Sequence, residues 1–513
     1  MNRIHKETTC VTGESRITVG GSDKETPCGA LTMMKAGYSR VGCVVNSLLN
    51  ENKAILIIIG FALIARVYEF LIHGPVLVSD SRGYLQYAEC LRNGTCIHSI
   101  PAPPNVWHES LYRLVGYPAL LYIARLLSEK WMIYIAIVSQ IIMGCIMVYL
   151  VFAIAEKLTN KKTALLSAFL YAVSSTIRYE IWISTDFVYS FFLIASVFLI
   201  LQSNKRWEII LCAGVAYAFS AIVRQTGLLY LVFFIALAYV RTLSIRRCVI
   251  FALPLMLTLT LYSTWNRHRA DTWELCPSDG YVLLDRYIQY GDFNKDTVVD
   301  RVARSVVKDK NECLDTAARV GMSRCLPVSL LGSEMARRYN LSQIDINGFM
   351  RKRAISGMIE HPAQQLLTTT KNLILGFKLF DSSTLDTQGR WKGAVQWIAS
   401  GGRSKIKPSM GDALRTVSII LFWSISLFVL LINIVYVIYL FASEKVRYRR
   451  EKIVLLLFSF AVLMFSSFAS YGFTRFLLPA FPFMIIFAID CLMYIHSRRA
   501  LKHPVETPLN PNA

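Results

Sequence analysis

The stretch AILIIIGFALIARVYEFLIH, residues 54–73, is an apolar run that contains Arg66 and Glu69, and the more polar stretch VLVSDSRGYLQYAECLRNG follows it at 76–94. A helix needs about 20 apolar residues to cross the hydrocarbon core of a bilayer, which is about 30 Å thick. Runs of this kind recur along the 513-residue chain, of which 54% is hydrophobic. A soluble protein of this size would need such residues for one or two cores. The sequence therefore predicts an all-α, multi-spanning membrane protein.

About ten of these runs have the length of a spanning helix. They lie near residues 54–73, 131–154, 163–178, 186–202, 208–223, 226–240, 248–264, 414–441, 453–470 and 477–495. The apolar segment 116–127 is short for a span and is predicted to lie in the outer interface. The segment 366–380 is either an interfacial helix or a short span, so the predicted count is about 10 to 12.

Charge divides the loops between these runs into two groups. Short segments rich in Lys and Arg lie at 155–162, 203–208, 241–247, 443–452 and 497–503. The positive-inside rule assigns such short basic loops to the cytoplasm. One miscounted span would place basic loops on both sides, so their agreement predicts that both termini are cytoplasmic.

This topology divides the chain into successive parts. Residues 1–53 are polar and lack a signal-peptide pattern, so they are predicted to be a flexible cytoplasmic extension. The later parts are an N-terminal transmembrane module at 54–264, whose first outer loop is 74–130, an extracytoplasmic domain or loop at 265–413, C-terminal transmembrane helices at 414–496 and a cytoplasmic tail at 497–513.

The formal net charge of +21 would suggest nucleic-acid binding in a soluble protein. In a membrane protein the positive-inside rule explains this charge first. The sequence contains no P-loop, GxSxG, CxxC or HExxH motif. These observations argue against nucleic acid as a partner and against nucleotide hydrolysis, a serine hydrolase or a dedicated zinc site.

Of the 12 cysteines, five fall in the predicted outer segments: Cys90, Cys96, Cys276, Cys313 and Cys325. In an oxidising compartment, Cys90 with Cys96 and Cys313 with Cys325 are the pairs expected to form disulfides. Free thiols are an equally weighted alternative.

Charged residues occur close to the ends of several spans. They are Arg66, Glu69, Arg178, Glu180, Asp186, Arg224 and Arg475. An ionisable residue costs about 2.5–3.5 kcal/mol at the bilayer centre, so such residues mark function by default. Under the predicted topology all of them lie near the outer face, whereas a transporter would place them at the midplane of two repeated halves. We therefore expect a catalytic site open to the outside, with snorkelling as the alternative for any single arginine.

Carboxylates beside arginines at a lipid surface suit the transfer of a group from a phosphate to a hydroxyl. The carboxylate acts as general base, and the arginines hold the phosphate bidentately. The lipid setting favours a lipid-linked donor. A flippase or transporter of a lipid-linked saccharide, and a lipid-linked glycan polymerase or ligase, are the alternatives.

Six segments resemble the motifs of one enzyme family, in the same order along the chain. SDSRGYLQYAECLRNG at 79–94 resembles D-x-x-x-Y-x-x-x-A-x-x-x-x-x-G, beginning at Asp80. The other five are YRLVGYPALL (112–121), WISTDFVYSFFLIASVFLIL (182–201), AGVAYAFSAIVRQTGLLYL (213–231), IEHPAQQL (359–366) and YGFTRFLLPAFPFMIIFA (471–488).

These segments are similar to those of the GT-C glycosyltransferases. More narrowly they resemble the bacterial branch of the dolichyl-phosphate-mannose-protein mannosyltransferase family (glycosyltransferase family 39), which includes the lipid A aminoarabinose transferases. Val115 and Gln225 stand where that family usually has proline, and Asp186 stands where it has glutamate. The resemblance implies a GT-C-like fold and a polyprenyl-phosphate sugar donor. It also implies an acceptor hydroxyl on an extracytoplasmic glycan, lipid or protein, a bacterial inner-membrane location and a catalytic aspartate at Asp80.

The first outer loop contains most of the candidate site residues. Asp80 is the predicted general base, with a surface position on an interfacial helix as the alternative. Tyr84 and Tyr87 share its helix face and would line a sugar pocket or anchor the helix in the interface. Arg113 and Tyr117 would shape the floor of the site or serve in packing.

The remaining candidates come from later segments. Asp186 could orient the acceptor, help to bind a metal or cap the fourth span. Arg224 and Arg475 are the predicted phosphate-binding residues, and His361 contacts the donor phosphate or caps a helix. A divalent cation, Mg²⁺ or Mn²⁺, could bridge Asp80, Asp186 and the phosphate, although no spacing in the sequence requires a metal.

Reporter fusions test the predicted topology. Fusions at residue 50 and residue 505 should report the cytoplasm, and a fusion at residue 300 should report the outer compartment, because the short basic loops set the orientation. An outer signal at residue 505 would contradict the ten-span arrangement.

Overall fold

The computed structural model describes residues 53–78, 80–96, 109–174, 176–204, 206–288, 295–306, 328–376, 410–442, 446, 448–469 and 477–502. By their contacts, the described residues from Ile57 onward belong to one compact unit. The predicted flexible extension 1–53 and tail 497–513 lie almost wholly outside the described side chains, so these two assignments stay predictions.

Helices account for most of the described chain. In the N-terminal part they are α1 (Lys53–His73), α2 (Ser81–Arg92), α3 (Glu109–Tyr112), α4 (Gly116–Leu127), α5 (Met132–Leu158), α6 (Lys161–Ala172), α7 (Thr176–Glu180), α8 (Thr185–Gln202), α9 (Trp207–Val223), a 3-10 helix (Gln225–Tyr230), α10 (Leu231–Thr242) and α11 (Ile245–Ala270). In the C-terminal part they are α12 (Asp279–Tyr287), α13 (Val298–Val306), α14 (Val328–Tyr339), α15 (Gln343–Glu360), α16 (Pro362–Gly376), α17 (Met410–Ala442), α18 (Arg449–Ala469) and α19 (Phe481–Lys502).

Six helical segments in the described part of the chain are long and apolar enough to cross a membrane. They are Lys53–His73, Met132–Leu158, Thr185–Gln202, Gln225–Thr242, Ile245–Ala270 and Ser424–Ala442. Two shorter apolar helices, Trp207–Val223 and Phe481–Ile495, match two further predicted spans. The prediction of an all-α, multi-spanning membrane protein is confirmed.

One predicted span, 163–178, differs from the structure. The chain there forms α6, which has 12 residues, and then α7, which has five. At 1.5 Å per residue, a helix of 12 residues covers about 18 Å and is too short for a bilayer core of about 30 Å. The sequence pattern did not distinguish one long apolar helix from two short helices separated by a break at Val173 and Ser174.

The N-terminal helices pack closely around α9. This helix contacts α8, α11 and α4. At Gly116 a Cβ atom would lie 2.7 Å from the backbone of Ile222 and Val223. The backbones of α4 and of the end of α9 are therefore in close contact at this glycine. This close approach brings the segment predicted as an interfacial helix, 116–127, directly onto the helical bundle.

Helices α12 to α15 share a hydrophobic core of their own. It includes Leu284, Tyr287, Leu331, Met335 and Met350, all buried. The first turn of α15 is closed by a capping box between Ser342 and Asp345, which satisfies backbone N–H groups at the helix start. These helices belong to the predicted domain 265–413, whose position outside the membrane stays a prediction.

Helix α16 covers most of the segment 366–380, for which the sequence left two alternatives. It begins at Pro362, ends at Gly376 and packs against α18. Its length of 15 residues is about 22 Å of helix, shorter than an untilted span requires. The interfacial alternative therefore fits its length better.

Substitution of Gly116 tests the close contact of α4 with α9. Gly116→Ala should lower the free energy of unfolding by about 1–3 kcal/mol, because backbone atoms cannot move aside for the new methyl group. Gly348→Ala is the matched control, since nothing lies within 4 Å of a Cβ at this position in α15. Gly348→Ala should stabilise the protein by about 0.5–1 kcal/mol. Thermal unfolding in detergent measures both, and an unchanged melting temperature for Gly116→Ala would refute the contact.

Candidate functional site

Asp80 directly precedes α2 and has a side chain that is 34% exposed. It occupies the N-cap position, but its carboxylate makes no capping hydrogen bond. The carboxylate instead faces Arg113, whose Nη2 lies 3.5 Å from Oδ1 of Asp80. The result is a solvent-accessible carboxylate held against a mostly buried cation.

Arg113 lies between two aromatic rings of the same region. Its guanidinium carbon is 4.4 Å from the ring centre of Tyr84 and 5.5 Å from that of Tyr112. Cation–π attraction and the neighbouring carboxylate both favour this position for the guanidinium. The ring of Tyr84 also contacts the ring of Tyr117 edge-on, with the centres 5.3 Å apart.

A second carboxylate–arginine pair is joined to the first. Arg224 donates to the carboxylate of Asp186, and its Nη1 lies 3.4 Å from Oγ1 of Thr185. The same hydroxyl of Thr185 is 3.2 Å from the hydroxyl of Tyr84. Asp80 and Asp186 thus belong to one connected cluster of side chains, although they are far apart in sequence.

Local structure explains how Asp186 and Arg224 reach this cluster. Asp186 lies in the first turn of α8, with Ser184 as the N-cap residue. Arg224 is the C-cap residue of α9 and has extended backbone angles of φ −151 and ψ 122. Since the chain leaves α9 at this residue, the Arg224 side chain is directed from the helix end toward Asp186. Asp186 is 3% exposed and Arg224 is 22% exposed, so the aspartate supports the arginine from the buried side.

Tyr117 links the cluster to the helices beneath it. Its hydroxyl donates to Oε1 of Gln140 over 3.1 Å. Nε2 of Gln140 donates to the backbone oxygens of Glu180 and Trp182, at 2.7 and 3.1 Å. Gln140 therefore holds both the floor of the site and the segment that leads to Asp186.

The buried tyrosines of the cluster are neutral hydrogen-bonding groups. Burial raises the pKa of the Tyr84 phenol, and the nearby guanidinium of Arg113 opposes this effect without reversing it. Burial also raises the pKa of the Tyr117 phenol. Neither phenol ionises near pH 7, so the carboxylates are the groups in this cluster able to accept a proton.

Two predicted site residues lie elsewhere. Tyr87 is fully buried, and its electrostatic neighbours are Arg269 and Tyr262 near the end of α11, so it contacts a different cluster from Tyr84. His361 is the C-cap residue of α15, and its ring stacks on Tyr287 at 6.5 Å. Arg475 lies outside the described residues, and its role stays a prediction.

The structure also adds residues that the sequence reasoning missed. Tyr112 and Thr185 contact Arg113 and Arg224 respectively, and Gln140 supports the floor of the site. A signal existed for Gln140, since it is a polar residue inside a long apolar run. Nothing in the sequence marked Tyr112 or Thr185.

The first outer loop is anchored to the end of α11. Cys90 and Cys96 form a disulfide, which confirms one of the two proposed pairs, while Cys313 and Cys325 lie outside the described residues. The buried guanidinium of Arg269 donates to the backbone oxygens of Cys96 and Ser110, at 3.2 and 2.8 Å. This anchor holds the loop close to the segment that carries Arg113.

Not every charged residue from the span ends belongs to the cluster. Arg66 and Glu180 form a fully buried pair beside Gly144, which lies near the middle of α5. The expectation that all these charges lie near the outer face stays a prediction. Glu69 and Arg178 form a separate pair with 3.3 Å between Oε1 and Nε.

The described residues include no group of three or more His, Cys, Asp or Glu side chains arranged to hold a metal ion. Asp80 and Asp186 each contact an arginine. A Mg²⁺ or Mn²⁺ ion bridging the two aspartates would have to compete with both guanidinium groups, so the metal stays a sequence-based prediction.

No family model matches the chain, and no curated protein matches it in sequence. Solved structures with a similar arrangement include the oligosaccharyltransferase of Archaeoglobus fulgidus in its apo form, at 13% identity and a TM-score of 0.46, over 88% of this chain and 51% of that chain. The same archaeal enzyme, solved with an inhibitory peptide and a dolichol-phosphate, aligns at 12% identity and a TM-score of 0.43, over 91% of this chain and 53% of that chain.

ArnT from Cupriavidus metallidurans, bound to undecaprenyl phosphate, aligns at 9% identity and a TM-score of 0.34, over 90% of this chain and 82% of that chain. The chain spans about half the length of the archaeal enzyme. At these levels of identity and TM-score, the likeness does not indicate which reaction this protein catalyses.

Alkylation of Cys276 tests the packing between the first loop and α12. Its thiol donates to the backbone oxygen of Tyr112 over 2.6 Å and lies 3.2 Å from Oγ of Ser278. Burial raises the pKa of the Cys276 thiol to about 12. Since alkylation requires the thiolate, Cys276 should resist iodoacetamide at pH 8 in the folded protein and react after denaturation. Peptide mass spectrometry measures this, and rapid labelling of the folded protein would contradict the buried position.

Proposed function

We propose that this protein is an integral-membrane glycosyltransferase that moves a sugar from a polyprenyl-phosphate-linked donor to a hydroxyl group on an extracytoplasmic acceptor. The observation that carries the proposal is the partly exposed carboxylate of Asp80, joined through Arg113, Tyr84 and Thr185 to the Asp186–Arg224 pair. A base and a cationic group for a phosphate therefore occur in one cluster. The resemblance of six sequence segments to GT-C enzymes supports the same reaction class.

The proposed step begins with a proton transfer at Asp80. Its carboxylate accepts the proton of the acceptor hydroxyl as that oxygen forms a bond to the anomeric carbon of the sugar. The bond from the anomeric carbon to the phosphate oxygen breaks, and the polyprenyl phosphate leaves with the bonding electron pair. Asp80 suits this role better than Asp186 because its side chain is 34% exposed, against 3% for Asp186.

Arg224 is the group that we assign to the donor phosphate in this cluster. It is partly exposed, and the buried Asp186 holds it in place. Guanidinium groups match the geometry of phosphate oxygens and keep their charge at any physiological pH. In this proposal Asp186 is a positioning residue for Arg224 and does not accept the proton. Arg475 and His361 remain phosphate-binding candidates from the sequence.

The short basic loops support an active site on the extracytoplasmic face. The resemblance to the GT-C family supports a bacterial inner membrane as its location. The acceptor would then approach from the side of α12 to α16. Tyr112 connects this region to the site, since its ring contacts Tyr281 of α12 edge-on at 5.7 Å and also contacts Arg113. Acceptor choice is therefore assigned to these helices.

One observation favours a second candidate, a flippase or transporter of a lipid-linked saccharide. Arg66 and Glu180 form a buried pair beside the middle of α5, and charges at such depth are typical of transport pathways. A transfer assay separates the two functions, because a transporter moves the lipid-linked saccharide without cleaving it. A polymerase or ligase would require a donor that carries an oligosaccharide.

Asp80→Asn tests the proposed base. Membranes with this variant, a labelled monosaccharide polyprenyl phosphate and endogenous acceptors should show transfer reduced by about 10²- to 10⁴-fold, since the amide cannot accept the proton. Asp80→Glu should retain little activity, because a shift of about 1 Å can cost about 10²-fold. Donor binding should remain close to that of the wild type in both variants.

Asp271→Asn is the matched control for Asp80→Asn. Asp271 is an exposed aspartate at the end of α11, with a left-handed φ of 56 that asparagine also tolerates. Transfer by this variant should equal that of the wild type. Near-full transfer by Asp80→Asn together with an inactive Asp186→Asn would instead make Asp186 the base.

A further inference from the structure

The side chains of Arg66 in α1 and Glu180 in α7 form a bidentate ion pair that is fully buried. Nε of Arg66 donates to Oε2 of Glu180 over 2.7 Å, and Nη2 donates to Oε1 over 2.9 Å. Nη1 of Arg66 donates to the backbone oxygen of Ala62 over 3.1 Å. The pair is geometrically well formed, and none of the residues assigned to the reaction takes part in it.

The chain leaves space for this pair at Gly144. A Cβ atom at this position of α5 would lie 2.6 Å from Nε of Arg66 and 2.5 Å from Cδ of Glu180. Any residue larger than glycine would therefore displace the carboxylate of Glu180 and the guanidinium of Arg66. The ion pair fills a gap between α1, α5 and α7 that only a glycine on α5 keeps open.

Immediately after Glu180, the chain pairs with the segment that leads to Asp80. The backbone N–H of Val76 donates to the oxygen of Ile181 over 2.9 Å, and the N–H of Ile183 donates to the oxygen of Val76 over 3.1 Å. Oγ of Ser81 donates to the oxygen of Ile183 over 2.7 Å. These bonds place the start of α2 against the segment that continues into α8.

Both carboxylates of the candidate site depend on this pairing for their relative position. Asp80 lies four residues after Val76, and Asp186 lies three residues after Ile183. Glu180 directly precedes Ile181, which is one of the paired residues. Arg66 lies on α1, the helix that leads to Val76 on the other side of the pairing. The Arg66–Glu180 pair thus connects the two chain segments at a point next to their backbone hydrogen bonds.

We infer that the Arg66–Glu180 pair is a positioning element of the active site. It holds the segment 181–186 against the segment 76–81, and so it sets the distance between the proposed base, Asp80, and the Asp186–Arg224 pair. The inference rests on the proposed function for its consequence in catalysis. Its structural content, that the ion pair holds the two segments together, is independent of the reaction.

The test uses a double variant in the full-length protein, Arg66→Met with Glu180→Leu. Removing both charges leaves no buried charge without its partner, and buried ion pairs are often replaced by apolar residues without loss of folding. Hydrogen exchange should accelerate at the amides of Val76 and Ile183. The kcat for transfer should fall by about 10- to 100-fold, since a displacement of about 1 Å has this effect, while the KM for the donor changes by less than about threefold.

Gly144→Ala tests by a different change whether the ion pair holds the two segments together. It keeps both charged residues and displaces them by steric contact, so the same two amides should exchange faster and kcat should fall in the same direction. Agreement between this variant and the double variant would tie the effect to the geometry of the ion pair. A normal kcat and normal exchange in Gly144→Ala would overturn the inference.

A second buried ion pair serves as the matched control. Nζ of Lys452 in α18 lies 2.8 Å from Oδ2 of Asp490 in α19, and the two side chains are 5% and 16% exposed. The double variant Lys452→Met with Asp490→Leu should leave the exchange at Val76 and Ile183 and the kcat unchanged. An equal loss of kcat in this control would indicate general destabilisation and would overturn the positioning role.

The outcomes separate this inference from the proposed function. If the wild type transfers no sugar from the lipid donor, the proposed function fails, and the exchange rates still decide whether the ion pair holds the two segments. If exchange accelerates in the Arg66–Glu180 double variant but kcat is unchanged, the positioning role fails and the proposed function stands. A double variant that does not fold assigns the pair to overall stability and also overturns the inference.

Discussion

The backbone hydrogen bonds between Val76 and the segment 181–183 are the contact on which the candidate site depends. Val76 follows α1 and precedes Asp80, whereas the segment 181–183 precedes Asp186. A parallel bridge of this kind places neighbouring backbones about 5 Å apart. Two carboxylates separated by more than a hundred residues of chain are therefore brought into one cluster by a contact that involves neither side chain.

Three buried cations in the described part of the protein each contact a carboxylate. Arg66 contacts Glu180, Arg353 contacts Asp300 and Lys452 contacts Asp490, each with little or no exposure of the cation. Taking one unpaired charge out of water would cost several kcal/mol, so these cations require a fixed partner. Fixed partners restrict the backbone on both sides, which is why an ion pair next to a functional segment also constrains that segment. Asp80 differs from these buried acids in remaining accessible to solvent.

Several parts of the site could be predicted from the sequence, and the reasons are local. Asp80 follows an apolar run and precedes a short helix, and this pattern alone marks a carboxylate at the end of a span. Asp186 and Arg224 were also recognisable as charges at the boundaries of apolar segments, and Arg113 came from the resemblance of the segment 112–121 to a family motif. The structure brings all four into one connected cluster. Tyr87 shares a helix face with Asp80 by spacing, but it is fully buried and its phenol interacts electrostatically with Arg269 and Tyr262.

By itself the sequence determined that the chain is a helical membrane protein, because apolar runs of about 20 residues bounded by charge have few other stable structures. It also marked the charged residues at the span ends from which the candidate site was predicted. Only the tertiary structure decided that Arg66 pairs with Glu180 beside Gly144, that Asp186 holds Arg224, and that Asp80 is the accessible carboxylate. The physical reason is that burial and partner choice depend on which helices pack together, and contacts between residues far apart in the chain leave no periodic pattern in the sequence.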